Sequence, residues 1–520
     1  MTPPSLKASR RAAAGAPVWM ALCVLLGSCA SERTSTAGAD PSRGPSGGGE
    51  AWRLDGRAMA AAADPRAVEA ALSTMKAGGT AVDAAIAAHA VLGLVEPQSS
   101  GLGGGGYMVV YERSTGAVTV IDGRETAPAS ATSDLFMVDG KMLDFGASIW
   151  SGRSVGAPGA VALYKEAHER FGELPWAANF NAAIKLAEDG FIVSPRLARS
   201  LESPRHRQGQ LARDPGAGPY FYPNGQALKA GERRPNADYA AALRRVASEG
   251  PAAFYSGEIA QNIVAAVRAG ANPGELSLKD LADYRVRVVP AVCGPFRTYR
   301  ICSAPPSSSG GVAMNQIMGL YQAISAKERA PTDATRLRDF VLANQLGYAD
   351  RDHYVADPDA VPVPVEDLLA PAYIAARAAS GFKPGDAPEP GDPGQVLRNQ
   401  SVVGMWGRET NNAQAGTTHM SIVDFEGNAV SFTATIESGF GSARWANGFL
   451  LNNELTDFSR PSTVNGKPVA NAPGPGKRPR SSMSPTLVFD GEGDLFMVTG
   501  SPGGNSIVGY VAKTLVAVLD

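Results

Sequence analysis

Residues 417–436 read TTHMSIVDFEGNAVSFTATI. Polar and apolar residues alternate on either side of Glu426-Gly427-Asn428, the pattern of two strands joined by a short Gly/Asn turn. Folding the segment about position 426 sets Thr417 opposite Thr435, and directly opposed residues lie roughly 5 Å apart at Cβ. Two hydroxyls then meet at the start of the hairpin. A threonine in that place becomes a nucleophile if the chain is cut just before it, because its own α-amino group then serves as the base. β-Branched residues also favour strands for their own sake. This segment alone therefore leaves a nucleophile and an ordinary strand both open.

The stretch before it changes character. From about 383 to 416, Pro, Gly, Asp, Asn and Gln dominate with little periodicity, ending in Asn411-Asn412-Ala413-Gln414-Ala415-Gly416. This composition predicts an exposed, mobile connector, and a bond must be accessible to be cut. Further out, 58–95 is Ala-rich with helical apolar spacing broken at Gly78-Gly79, predicting two packed helices. Strand-like runs at 107–111, 118–121, 285–303, 448–452, 486–489 and 495–499 alternate with helical blocks at 160–200, 236–270, 311–326, 335–349 and 507–519. Sheet layered between helices follows from that order.

Several short motifs invite a function. Gly101-x-Gly103-x-x-Gly106 matches a dinucleotide fingerprint, but a strand follows it where a helix is required. A glycine run that lets backbones approach closely fits better. Gly152-Arg153-Ser154-Val155-Gly156 matches a nucleophile elbow, yet Pro158-Gly159 would break the helix such an elbow needs. Ser307 to Gly311 reads as a loop after two prolines. Adjacent Ser481 and Ser482 offer hydroxyls to a carboxylate, or form a plain turn. Gly503 and Gly504 could present bare N–H groups to an oxyanion.

The chain has 520 residues, 44% hydrophobic and 19% charged, with net charge −2. That is ordinary globular composition, and it gives no electrostatic argument for nucleic acid or an anionic membrane. The five histidines and four cysteines show no CxxC or HExxH spacing, so neither a metal nor another cofactor is expected. Lys7, Arg10 and Arg11 precede an apolar stretch, Ala16 to Leu26, ending in Leu26-Gly27-Ser28-Cys29. This resembles a bacterial lipoprotein signal, with an ordinary secretory signal as the alternative. Cleavage before Cys29, lipid on its thiol and export to the periplasmic side of the envelope are what it implies. The Ser/Gly-rich residues 29–52 read as a flexible tether. In an oxidising compartment Cys293 and Cys302 either close a small disulfide loop or remain buried thiols.

Taken in order, Gly101 to Tyr107, Asp122 to Pro128, Asp189 to Val193, Pro305 to Gly311, Tyr348 to Arg351, Thr417 to Asp424, Leu450 to Phe458, Lys477 to Thr486 and Thr499 to Gly504 resemble the γ-glutamyltranspeptidase family of N-terminal-nucleophile hydrolases. The resemblance implies an α+β fold, a four-layer αββα sandwich, made as a precursor that cuts itself between Gly416 and Thr417. Residues 53–416 would be the large subunit and 417–520 the small one. It implies Thr417 as nucleophile, Thr435 as its hydrogen-bond partner, and Gly503 and Gly504 at the oxyanion. Arg124, Ser481 and Ser482 would hold the substrate α-carboxylate, and Glu437, Glu454 and Asp457 its ammonium. Glu437, two residues past Thr435 on one strand, would share its face.

The implied substrate is a γ-glutamyl amide such as glutathione, and the implied acceptor is water, an amino acid or a peptide. The membrane would be met through the lipid anchor alone. Two features depart from the family: 459–476 is short and lacks an aromatic, and the chain stops at Asp520 where members continue, as in a small subunit truncated at its C-terminus. Within the same fold the alternative is a glutaryl or cephalosporin-type amide acylase. In another class altogether, the alternative is an unprocessed, non-catalytic envelope lipoprotein.

Overall fold

The computed structural model describes residues 57–325, 333–380, 387–407 and 416–520. The signal, Cys29 and the tether lie outside the described residues. Strands Met59–Ala61 (β1), Gly105–Glu112 (β2), Ala117–Gly123 (β3), Arg287–Pro290 (β4), Val292–Phe296 (β5), Tyr299–Ser303 (β6), Thr417–Val423 (β7), Ala429–Thr435 (β8), Thr486–Phe489 (β9) and Leu495–Thr499 (β10) form two antiparallel sheets. The larger has the order β1-β7-β8-β2-β3-β4 and the smaller β10-β9-β6-β5.

Alternation along the strands sorts the core into layers. On one face of the larger sheet, Met108, Val110, Met420, Ile422, Phe432 and Ala434 pack with helices Pro65–Lys76 (α1), Ala81–Val95 (α2) and Ala160–Phe171 (α3). On the other face Tyr107, Val109, Tyr111 and Val120 share a core with Leu487 and Phe489 of the smaller sheet, the Tyr111 and Phe489 rings lying 5.0 Å apart. Helices Gly310–Ile324 (α4), Ala334–Tyr354 (α5) and Ile507–Leu519 (α6) supply the fourth layer. The fold is the αββα sandwich. Helix α2 is buried along its whole length and capped by a reciprocal Thr80–Asp83 box, a cap worth about 1 kcal/mol.

The glycine run before β2 allows close approach of backbones. A Cβ at Gly104 would lie 2.0 Å from the Thr435 carbonyl oxygen, and one at Gly105 would lie 2.3 Å from that of Gly123. Cys293 and Cys302 face each other across β5 and β6 and are joined as a disulfide, with Cα atoms 4.0 Å apart.

The stretch read as a mobile connector is folded over 387–407. Asp392 caps a helix at Pro393–Arg398, accepting from Gln395 N at 3.0 Å. Leu397, Val402, Val403 and Trp406 pack against a small core containing Tyr354 and Tyr373. The prolines and aspartates that suggested disorder are here a helix start. Residues 383–386 and 408–415 of that stretch lie outside the described residues.

Candidate active site

The hairpin register opposes Thr417 and Thr435, and their Oγ atoms are 3.4 Å apart. Both side chains point between the two sheets, on the face of His419, Ser421, Ser431 and Thr433. In the continuous chain Thr435 Oγ donates to the Gly416 carbonyl and accepts from Glu437 N at 2.8 Å. The bond expected to break is thus held by the threonine opposite Thr417.

Beyond Thr435 the strand ends, and the chain turns through left-handed backbone at Glu437 (φ 75°), Phe440 (φ 66°) and Ala443 (φ 60°). Such positions cost on the order of 1–3 kcal/mol each and gather where function demands them. Strand alternation therefore does not place Glu437; this turn does. Its carboxyl accepts from Ser438 Oγ at 2.6 Å and from Asn453 Nδ2. Burial, then the nearness of Asp457 and Glu454, pushes it up to about 8.

A single helical turn, Glu454–Asp457, turns two more carboxylates inward. Arg124 Nη1 pairs with Glu454, Nη2 reaches Asp457 at 2.6 Å, and Nε donates to the Pro479 carbonyl at 3.0 Å. Burial works against the guanidinium charge, but Glu454 and Asp457 hold it above its ordinary range. Neighbouring Glu125, with neither oxygen hydrogen-bonded among the described residues, is pushed up to about 8 by burial. One cation thus faces several carboxyls that cannot all ionise in a dry site.

Arg124, Thr417, Thr435, Glu437, Glu454, Asp457, Ser481, Ser482 and Gly504 line one cavity of about 20 Å³, room for one water or so. Gly503 stands just outside, its φ of 143° setting the turn into Gly504. The expected division of labour is not what the site displays. Arg124 is turned to Glu454 and Asp457, while Ser482 Oγ is met by Arg351 Nη2 and donates to Asn505 Oδ1 at 3.2 Å. Separating the head groups of a bound amino acid would require these pairs to exchange partners.

A family model for γ-glutamyltranspeptidase matches residues 67–520. The chain belongs to the γ-glutamyltranspeptidase family. It is 36% identical over 479 residues to the glutathione hydrolase proenzyme of Escherichia coli (strain K12), covering 89% of this chain and 78% of that protein. The glutathione hydrolase proenzyme of Bacillus subtilis (strain 168) is 34% identical over 462 residues, 88% of this chain and 77% of that protein. Among solved structures, cephalosporin acylase from Bacillus halodurans is similar with a TM-score of 0.77 at 27% identity, covering 92% of this chain and 84% of that one.

Within this member of the family the rival motifs fall away from the site. Ser154 is buried in a short turn, its Oγ donating to the Ile149 and Ser151 carbonyls. The serines after Pro306 are more than a loop. Ser308 and Ser309 donate to the Met483 and Ser481 carbonyls at 2.5 and 2.7 Å, fixing the backbone under the two site serines. Arg351 binds Ser309 Oγ at 3.1 Å and reaches Ser482 and Asn505. In the sequence Tyr348 to Arg351 stands as a motif without a role. Arg351 is buried in α5, a position arginine rarely takes unpaired, and that burial is visible only in the folded chain.

Proposed function

We propose that the chain is a precursor that cuts itself between Gly416 and Thr417, and that the freed Thr417 then cleaves γ-glutamyl amides such as glutathione. The γ-glutamyl group passes to water, or to an amino acid or peptide. The observation that carries the reading is the meeting of the Thr417–Thr435 pair with one arginine, three carboxyls and two serines in a single cavity.

In the first reaction Thr417 Oγ attacks the Gly416 carbonyl carbon. Thr435, donating to that carbonyl oxygen, supports the developing negative charge. The C–N bond breaks as the Thr417 nitrogen takes up the proton that Oγ gives up, leaving an ester on Oγ and a free α-amine, and water hydrolyses the ester to free Gly416 as a carboxylate. In the second reaction the Thr417 α-amino group takes the Oγ proton during attack on the γ-carbonyl and returns it to the departing amine. The N–H groups of Gly503 and Gly504 are assigned to the oxyanion. Arg124 suits a carboxylate through its fork, and the acidic residues suit an ammonium.

That acidic set argues against the acylase alternative, because a glutaryl chain has no ammonium to offer it. Comparing release from γ-glutamyl and glutaryl anilides decides between them, and faster glutaryl turnover overturns the γ-glutamyl reading. For processing, intact mass of the wild type should show two fragments and Thr417→Ala one full-length chain. An uncut wild type would support the non-catalytic lipoprotein instead. The lipoprotein-type signal supports attachment through Cys29 at the periplasmic side of the envelope.

A further inference from the structure

The disulfide between Cys293 and Cys302 is shielded on one side only. Cys293 lies on β5, the outer strand of the smaller sheet, and is exposed, whereas Cys302 on β6 is fully buried. The two stand directly opposite in the antiparallel register and are nine residues apart in sequence. The bridge therefore joins strands that their own ladder already ties together, and so short a loop constrains the unfolded chain less than a long one would. Holding the fold together is a modest task for it.

A cation is aimed at it. Arg300 and Cys302 are two apart on β6 and so share a face of the sheet. Phe489 stands opposite Arg300 on β9, and the guanidinium lies over its ring, 4.3 Å from the centroid. In that position Nη1 is 3.5 Å from Cys302 Sγ and 3.8 Å from Cys293 Sγ. Arg300 makes no ion pair with a carboxylate among the described residues; its contacts are the ring and the two sulfurs. Those sulfurs are neutral while joined and become anionic when the bond opens, the state that a neighbouring arginine favours.

We propose that this bridge is a thiol-exchange site that captures a small thiol on Cys293. Burial closes Cys302 to attack, so an incoming thiolate reaches Cys293 Sγ. A new sulfur–sulfur bond forms there, the Cys293–Cys302 bond breaks, and its electron pair leaves on Cys302 Sγ as a thiolate. The more stable the departing thiolate, the faster it leaves. The guanidinium 3.5 Å away supplies that stability where burial alone would oppose the charge. A second small thiolate then attacks the captured thiol's own sulfur, and Cys293 departs as a thiolate. Two small thiols are thereby oxidised to one disulfide, the protein's pair takes up the two electrons, and its thiolates regain the protons the small thiols released. Glutathione and the cysteinylglycine cut from it are thiols of this class, but the inference does not depend on the γ-glutamyl reading.

The test uses N-acetylcysteine, a small thiol without a γ-glutamyl group, on the folded chain in the absence of denaturant. The reaction is stopped with an alkylating agent, and the peptides holding Cys293 and Cys302 are mapped by mass. Wild-type protein should carry the small thiol on Cys293 and the alkyl group on Cys302. Arg300→Gln should slow the opening of the bridge about tenfold, whereas Arg300→Lys, which keeps the positive charge, should stay within about threefold of the wild type. A bridge that opens only in denaturant overturns the proposal. So does a small thiol found on Cys302, or an Arg300→Gln protein that exchanges at the wild-type rate.

Discussion

Glu437 shows how burial turns an ordinary acid into a titrating part of a site. Its carboxyl is held up to about 8, against 4.5 for an unperturbed one, first by burial and then by Asp457 and Glu454. Between those values the folded protein keeps a proton that the unfolded chain has released. Its contribution to stability is therefore complete below about 4.5, declines as pH rises, and is gone above about 8. Holding a substrate ammonium calls for the opposite state, the carboxylate. The ratio of wild-type to Glu437→Gln kcat/KM for a γ-glutamyl anilide should accordingly grow about tenfold between pH 6 and pH 9. Over the same interval the variant's Tm should rise a few degrees relative to the wild type. A flat activity ratio would show that Glu437 does not meet the ammonium. The comparison with a variant is needed because the α-amino group that cleavage would free at Thr417 would be a second titrating group in the site.

At the scale of elements, the central strands β8 and β2 lie so close that only hydrogen fits at Gly104. A methyl group there would press on the Thr435 carbonyl and shift the strand that carries Thr435. Overpacking of this kind costs about 1–3 kcal/mol, and the proposed self-cleavage relies on the 3.4 Å Thr417–Thr435 approach. Gly104→Ala should therefore slow self-cleavage at least tenfold, read as the fraction of full-length chain over time on a denaturing gel. Processing at the wild-type rate would mean that the strand absorbs the methyl without moving Thr435. The glycine run was legible in the sequence as a place of close approach, because a strand followed it where a nucleotide fingerprint needs a helix. Which backbone approaches it was not legible, since β8 lies more than three hundred residues downstream.

For the whole molecule, the cut would fall inside a shared sheet. Strands β7 and β8 lie between β1 and β2, and β9 pairs with β6. The two fragments would thus be bound by backbone ladders and a common core, because each lacks strands the other supplies. Processed protein and uncut Thr417→Ala should elute at the same volume in size-exclusion chromatography, and the fragments should part only in denaturant. Separation under native conditions would show that the sheet does not hold them.

By itself the sequence determined the hairpin register, the order of strands and helices, and the family, because these rest on local alternation, turn chemistry and ordered motifs. Thr417 faces Thr435 as the alternation about position 426 requires. Tertiary structure alone decided the rest. Arg124 clasps Glu454 and Asp457 from some 330 residues away, Arg351 comes under Ser482, and Glu437 enters the cavity through a left-handed turn. The 387–407 stretch folds because a core around Tyr354 and Tyr373 receives it. Pairings between distant segments depend on how the layers close on one another, and no local pattern records that.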